Sequence, residues 1–176
     1  MSKQAFEKAH CYLSQKRAEM TAFSDYLAAH PELSQEEYES SRLMVEKLLG
    51  AGFSVEYPYL GLPTAFKAVK TSPACAQKKP VVAIMAEYDA LPEMGHGCGH
   101  NLHGTMALYA GLAVGEAIGE TAGEIRVIGT PAEETDGAKV QMADAGIFDD
   151  VDLAFMFHSY AGESFADYRA LGIDGL

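Results

Sequence analysis

Val81-Val-Ala-Ile-Met-Ala-Glu-Tyr-Asp-Ala-Leu-Pro-Glu-Met-Gly-His-Gly-Cys-Gly-His-Asn-Leu-His103 is the stretch from which the rest of the chain can be read. Its first six residues are continuously apolar and few, the pattern of a strand buried on both faces. The seventeen from Glu87 onward hold three of the six histidines, one of the three cysteines and three carboxylates. Metal-competent groups placed where a buried strand stops are an expected feature of an α/β active site. Gly95, Gly97 and Gly99 let the intervening loop turn tightly or approach a ligand closely.

Downstream, Met106, Leu108, Leu112, Val114 and Ile118 predict a well-packed helix from about Leu102 to Ile118. Glu124–Gly129 reads as a second strand, running into Thr130-Pro-Ala-Glu-Glu134. A short helix over 136–145 and a third buried strand, Leu153–Phe157, follow, and that strand stops at His158. Upstream, Tyr12, Met20, Phe23 and Leu27 predict a helix from about 3 to 29, ended by His30-Pro31 because the residue before proline is pushed out of the α region. Ser34-Gln-Glu-Glu37 has the form of a capping box, opening a helix that stops at Gly50 or Gly52. Residues 53–60 and 64–70 read as short strands around Gly61-Leu-Pro63, and 71–80 as a surface loop.

Strands alternating with helices predict a three-layer α/β/α sandwich with a mixed, mainly parallel sheet. Parallel strands end on one edge, so Asp89 with the Cys98 loop, Glu133-Glu134 and His158 should converge. At 176 residues, one domain with a full hydrophobic core is expected. A formal charge of −12 argues against nucleic acid as a partner, because its phosphates would be repelled. No apolar run approaches the roughly 18 residues of a membrane span, and the N-terminus lacks a secretory h-region. The expected compartment is the cytoplasm, and Cys11, Cys75 and Cys98, odd in number and widely spaced, fit a reducing one.

The chemistry rests on two clusters. Cys98 and His100, two residues apart, can face one centre. Each alone has a bland reading, as a small buried apolar residue and a core histidine. Glu133 and Glu134 resist joint ionisation unless a cation lies between them or they point apart; a solvated acidic turn is the bland alternative. A metal resolves the conflict, with one glutamate coordinating and the other acting as general base on a water. A mixed thiolate, imidazole and carboxylate set suits zinc, with cobalt, nickel or manganese also admissible. His96 and His103 could support a ligand, face a substrate or ligate a metal directly. A purely structural zinc site in a binding protein is the competing class, opposed by the spare glutamate.

Ala86-Glu-Tyr-Asp-Ala-Leu-Pro92, His96-Gly-Cys-Gly-His-Asn-Leu-His103, Pro131-Ala-Glu-Glu134 with Gly137-Ala138, and strand-terminal His158 resemble the dinuclear metallopeptidase family of aminoacylases, hippurate hydrolases and carboxypeptidases. The resemblance is strongest to its N-acyl-amino-acid amidohydrolase branch, which includes the aminoacylase-1-like protein 2 group and p-aminobenzoyl-glutamate hydrolase. His30-Pro-Glu-Leu-Ser34 also fits that branch. The likeness implies a zinc-exopeptidase-like fold and two divalent metal ions, zinc or manganese, held by Cys98, His100, Glu134 and His158. Glu133 would be the general base, and Asp89 would orient a ligand histidine. It further implies hydrolysis of an amide bond to an amino acid, in an N-acyl-amino acid or dipeptide, by an intact protein that forms a homodimer. The branch often has aspartate where Asn101 stands and arginine where Met85 stands. Family members are longer, with a lid or dimerisation domain inserted after the His158 region and a returning half that supplies another ligand histidine. Residues 1–176 are therefore expected to be the N-terminal portion of the catalytic domain, with 167–176 approaching the lid. A chain of that kind would be an inactive fragment if it needs the other half.

Overall fold

The computed structural model describes residues 2–73, 80–120 and 122–159. Cys75 and the 167–176 stretch lie outside them. Helix α1, Lys3–Ala29, is capped by the Ser2 hydroxyl, which accepts from the Ala5 amide at 3.1 Å, and stops at His30 ahead of Pro31. Helix α2, Tyr38–Gly50, starts four residues after the expected cap. The capping box does not form. Glu32 serves instead, its carboxylate accepting from the Glu39 and Ser40 amides at 2.9 and 2.7 Å. Ser34 and Glu37 are drawn into tertiary hydrogen bonds, to Asp89 and to Thr64 and the Ala132 amide.

Five strands follow the order β1-β2-β4-β3-β5, with β1 Ser54–Glu56, β2 Phe66–Thr71, β3 Val81–Ala86, β4 Glu124–Gly129 and β5 Leu153–Phe155. The β1–β2 and β2–β4 pairings are antiparallel, whereas β4–β3 and β3–β5 are parallel. The sheet is mixed, and its parallel part is the part that carries the motif loops. Side chains alternate across it. Ile125 and Val127 join the core under α1, α2 and α3 (His100–Ala117), while Ala83 and Ile128 join a smaller one under α4, Ala138–Asp144. These are the three layers.

β1 and β5 are shorter than the expected 53–60 and Leu153–Phe157, and β5 departs further. β5 is not buried: Leu153 and Phe155 are 50% and 49% exposed. It lies at the sheet edge, and among the described residues no strand flanks its outer side. An apolar run of this length is compatible with burial, but only a neighbouring element can supply it.

Candidate metal centre and active site

β3 and β4 end level, Ala86 opposite Gly129, and the Thr130 amide closes the pair on the Ala86 carbonyl at 2.8 Å. β5 pairs Phe155 with Ile84, so His158 comes level with Glu87, its Nε2 4.0 Å from that carboxylate. Helix α3 opens at Gly99, whose φ of +80° is one that L side chains rarely adopt. A Cβ there would collide with the Ser159 hydroxyl, which donates to the Cys98 carbonyl at 3.2 Å. His100 and His103 then lie one turn apart on one helix face, both fully buried. Asn101 faces away, its amide donating to the Ser24 hydroxyl on α1 at 3.0 Å. Asn101 thus forms a helix–helix tie.

Hydrogen bonds assign the imidazole tautomers. His100 Nδ1 lies 2.9 Å from both the carbonyl and Oδ1 of Asp89, two acceptors, so Nδ1 carries the proton. His158 Nδ1 lies 2.7 Å from the Ser159 carbonyl, so it too is the protonated nitrogen. The two Nε2 atoms that remain face each other at 3.3 Å. That is hydrogen-bond distance, but two lone pairs cannot bond to each other: a proton or a cation must lie between them. Imidazoles on adjacent corners of a tetrahedron, each about 2.0–2.1 Å from a zinc ion, have nitrogens roughly 3.4 Å apart. The spacing fits a metal.

Among the described residues, two groups of side chains could hold such an ion, Glu87/His100/His158 and His100/Glu133/Glu134. Glu134 Oε1 is 3.7 Å from His100 Nε2. Asp89 organises both partners: Oδ1 holds His100, while Oδ2 accepts from the Glu134 amide at 3.0 Å and from Ser34 at 2.8 Å. Burial alone would raise the Asp89 carboxyl, but these hydrogen bonds outweigh it and hold it below its ordinary value. Burial, then the charge of Glu87, raises Glu133, the direction a general base needs. The Cys98 thiol is pushed up to about 11, first by its hydrogen bond to Glu134 and then by burial. Its thiolate therefore needs a cation beside it.

The ambiguous histidines separate. Burial pushes His103 down to about 4, and its Nδ1 accepts from the Glu87 amide at 3.2 Å. Burial also lowers His96; a contact toward the Leu27 backbone falls short of hydrogen-bond geometry, leaving both ring nitrogens without a hydrogen-bond partner among the described residues. Neither belongs to the two groups. His158 lies just beyond the end of β5 with its side chain 41% exposed.

Sequence reasoning gave no role to Glu87 or Lys139, which form an ion pair whose carboxylate is buried and whose lysine is half-buried. Glu87 lies two residues before Asp89, a spacing that could have drawn attention to it; nothing local marks Lys139.

A model of peptidase family M20/M25/M40 matches residues 83–172, just over half of the chain. The chain belongs to that family. Mouse (Mus musculus) Xaa-Arg dipeptidase is 38% identical over 147 residues, 78% of this chain and 34% of its own length. A p-aminobenzoyl-glutamate hydrolase polypeptide from Escherichia coli (strain K12) is 36% identical over 174 residues, 88% of this chain and 35% of its own. The chain thus spans about a third of these curated relatives. A dinuclear metal-binding M20 peptidase from Bacillus subtilis superposes with a TM-score of 0.73 at 26% identity, over 84% of this chain and 44% of its own.

Proposed function

We propose that this chain carries the metal-binding face of an amidohydrolase that cleaves the amide bond to an amino acid, in an N-acyl-amino acid or dipeptide. The observation that carries this reading is the pair of bare imidazole nitrogens, His100 and His158, beside Glu133-Glu134 at the ends of parallel strands. Cys98, His100, Glu134 and His158 are the proposed ligands of two divalent ions. Zinc suits this donor set, manganese is the harder alternative, and cobalt or nickel would be tolerated. When bound, the ions polarise the amide carbonyl and make water acidic enough to attack near neutral pH. Glu133 takes the proton from that water and hands it to the leaving amine, and its raised affinity for protons suits both transfers. Asp89 keeps His100 in the tautomer that presents Nε2.

The substrate class draws on the activities for which the relatives are named, an Xaa-Arg dipeptidase and a p-aminobenzoyl-glutamate hydrolase, which share an amino acid on the amine side of the bond. We place the intact enzyme in the cytoplasm as a homodimer; among the described residues no helix is long and apolar enough to cross a membrane. A second reading is favoured by the exposed edge at β5: turnover requires a further segment to cover it.

The test is Glu133→Gln. Hydrolysis of a panel of N-acyl-amino acids and dipeptides should fall by at least about 10²-fold, while elemental analysis finds the same metal content. Unchanged rates would sink the assignment of the base. Turnover that appears only when a C-terminal half is supplied in trans would favour the second reading.

A further inference from the structure

The reaction above gives Glu87 no part, yet this carboxylate is built into the centre of the cluster. Its side chain is 1% exposed. Lys139, reaching in from α4, pairs with Oε1, whereas Oε2 has no hydrogen-bond partner among the described residues. Around Oε2 stand three imidazole nitrogens: His103 Nδ1 at 3.2 Å, His100 Nε2 at 3.4 Å and His158 Nε2 at 4.0 Å. These distances fall in the range of ion pairs, but in the tautomers assigned above none of the three nitrogens has a proton to give. His100 and His158 spend theirs on Asp89 and Ser159, and His103 Nδ1 accepts from the Glu87 amide. A buried carboxylate oxygen facing bare nitrogens is repelled, and it forgoes solvation without compensation. A structural ion pair with Lys139 accounts for Oε1 and leaves Oε2 unexplained.

The second observation is the sharing of His100. Both candidate groups use it, but with Nδ1 committed to Asp89 it has one lone pair, and one lone pair binds one ion. Two ions therefore cannot both rest on His100. The cluster divides naturally if one ion sits on the two imidazoles and the other on Glu134 and Cys98, whose thiol already touches that carboxylate. The ion on the imidazoles then needs an anionic ligand of its own, and the nearest free oxygen is Glu87 Oε2.

We propose that Glu87 is a further ligand of the metal centre, holding one divalent ion through Oε2 together with His100 and His158 while Lys139 fixes the carboxylate through Oε1. This rests on the reading that the cluster binds metal. Glu87 thereby sets how tightly that ion is held, and Lys139 acts as a positioning residue.

Titration of the 176-residue chain with Co²⁺, followed by absorption and by competition with a chelator, tests it. Glu87→Gln should weaken the ion on His100 and His158 at least tenfold and alter its ligand-field bands, with thiolate-to-cobalt absorption from Cys98 retained. Glu87→Asp should recover part of the affinity. Wild-type affinity and an unchanged spectrum in Glu87→Gln would overturn the proposal and leave the metal reading standing. A wild-type chain that takes up no Co²⁺ would overturn both. Should Glu87→Gln fail to fold, a crystal structure of the wild-type chain grown with zinc decides: an ion about 2.0–2.2 Å from Glu87 Oε2 supports the ligand, and an ion out of its reach refutes it.

Discussion

Asp89 shows how a residue that touches no substrate can govern a site. Its two oxygens receive three donors from three separate elements: His100 from α3, the Glu134 amide from the loop after β4, and Ser34 from the loop after α1. Asparagine has the same shape but only one acceptor oxygen. Whichever way its amide is turned, a donor faces a donor, either at His100 Nδ1 or at the Glu134 amide. Asp89→Asn should therefore keep the fold and lose roughly 10–100-fold in metal affinity, as seen when the supports of ligating histidines are removed. Chelator competition measures this, and undiminished affinity would mean His100 is held by the Asp89 carbonyl alone. A second carboxylate governs stability instead. Hydrogen bonds from Lys16, Lys47 and Tyr109 hold Glu19 down to about 2. Its folded value lies below its ordinary 4.5, so its contribution is complete above about pH 4.5 and disappears as pH falls toward 2. Its side chain is 40% exposed, which limits each pair to less than about 1 kcal/mol. Urea unfolding of Glu19→Gln should show a deficit at pH 7 that closes between pH 4.5 and 2; a deficit that does not depend on pH would assign the loss to packing.

Among the elements, α3 is the one on which the site depends, because its first turn carries His100 and His103 while its body packs on β3. Gly104 sets the contact. A Cβ there would stand 2.5 Å from the Glu87 carbonyl and 2.7 Å from the Met44 methyl. Met44 can move aside, but the strand-end carbonyl cannot move without taking Glu87 with it. Ala is favoured over Gly in a helix interior by about 1 kcal/mol, and forced overpacking costs about 1–3 kcal/mol. The clash should win. Gly104→Ala is expected to lower stability by up to about 2 kcal/mol in chemical denaturation and to weaken metal retention as well. A more stable variant would show that α3 slides freely over β3. The helices and strands that compose this frame were legible where local pattern suffices. The apolar run Val81–Ala86, the strand Glu124–Gly129 and the stop at His30-Pro31 all stand where periodicity and proline place them. The convergence of their loops followed from parallel pairing. The false capping box at Ser34–Glu37 shows where such reading ends: the same side chains suit a local cap and a distant partner, and only the fold brings Asp89, Thr64 and Ala132 within reach. The Glu87–Lys139 pair escaped for the same reason, its members being separated in sequence by α3 and β4.

For the whole molecule, the question is what holds so much like charge together. The formal charge is −12, and Glu87, Asp89, Glu133 and Glu134 gather at one end of the sheet. Lys139 answers one of them. The candidate ligands are scattered from Glu87 to His158 in sequence, so an unfolded chain offers no comparable site, and ion binding must favour the folded state. At a free ion concentration a hundred times the dissociation constant, the gain is about 2.7 kcal/mol, worth roughly 5–10 °C in melting temperature for a chain of this length. Thermal melts in rising Zn²⁺ or Mn²⁺ should climb by that amount and return on adding a chelator. The exposed edge at β5 sharpens the expectation. Because His158 hangs from the least buried strand, amides of 153–155 should exchange rapidly without metal and slow when it binds. Slow exchange before metal is added would mean that β5 is held by its pairing with β3 alone. Melts indifferent to every divalent ion tried would mean that the facing imidazoles share a proton and that the cluster, however well assembled, is not a metal centre.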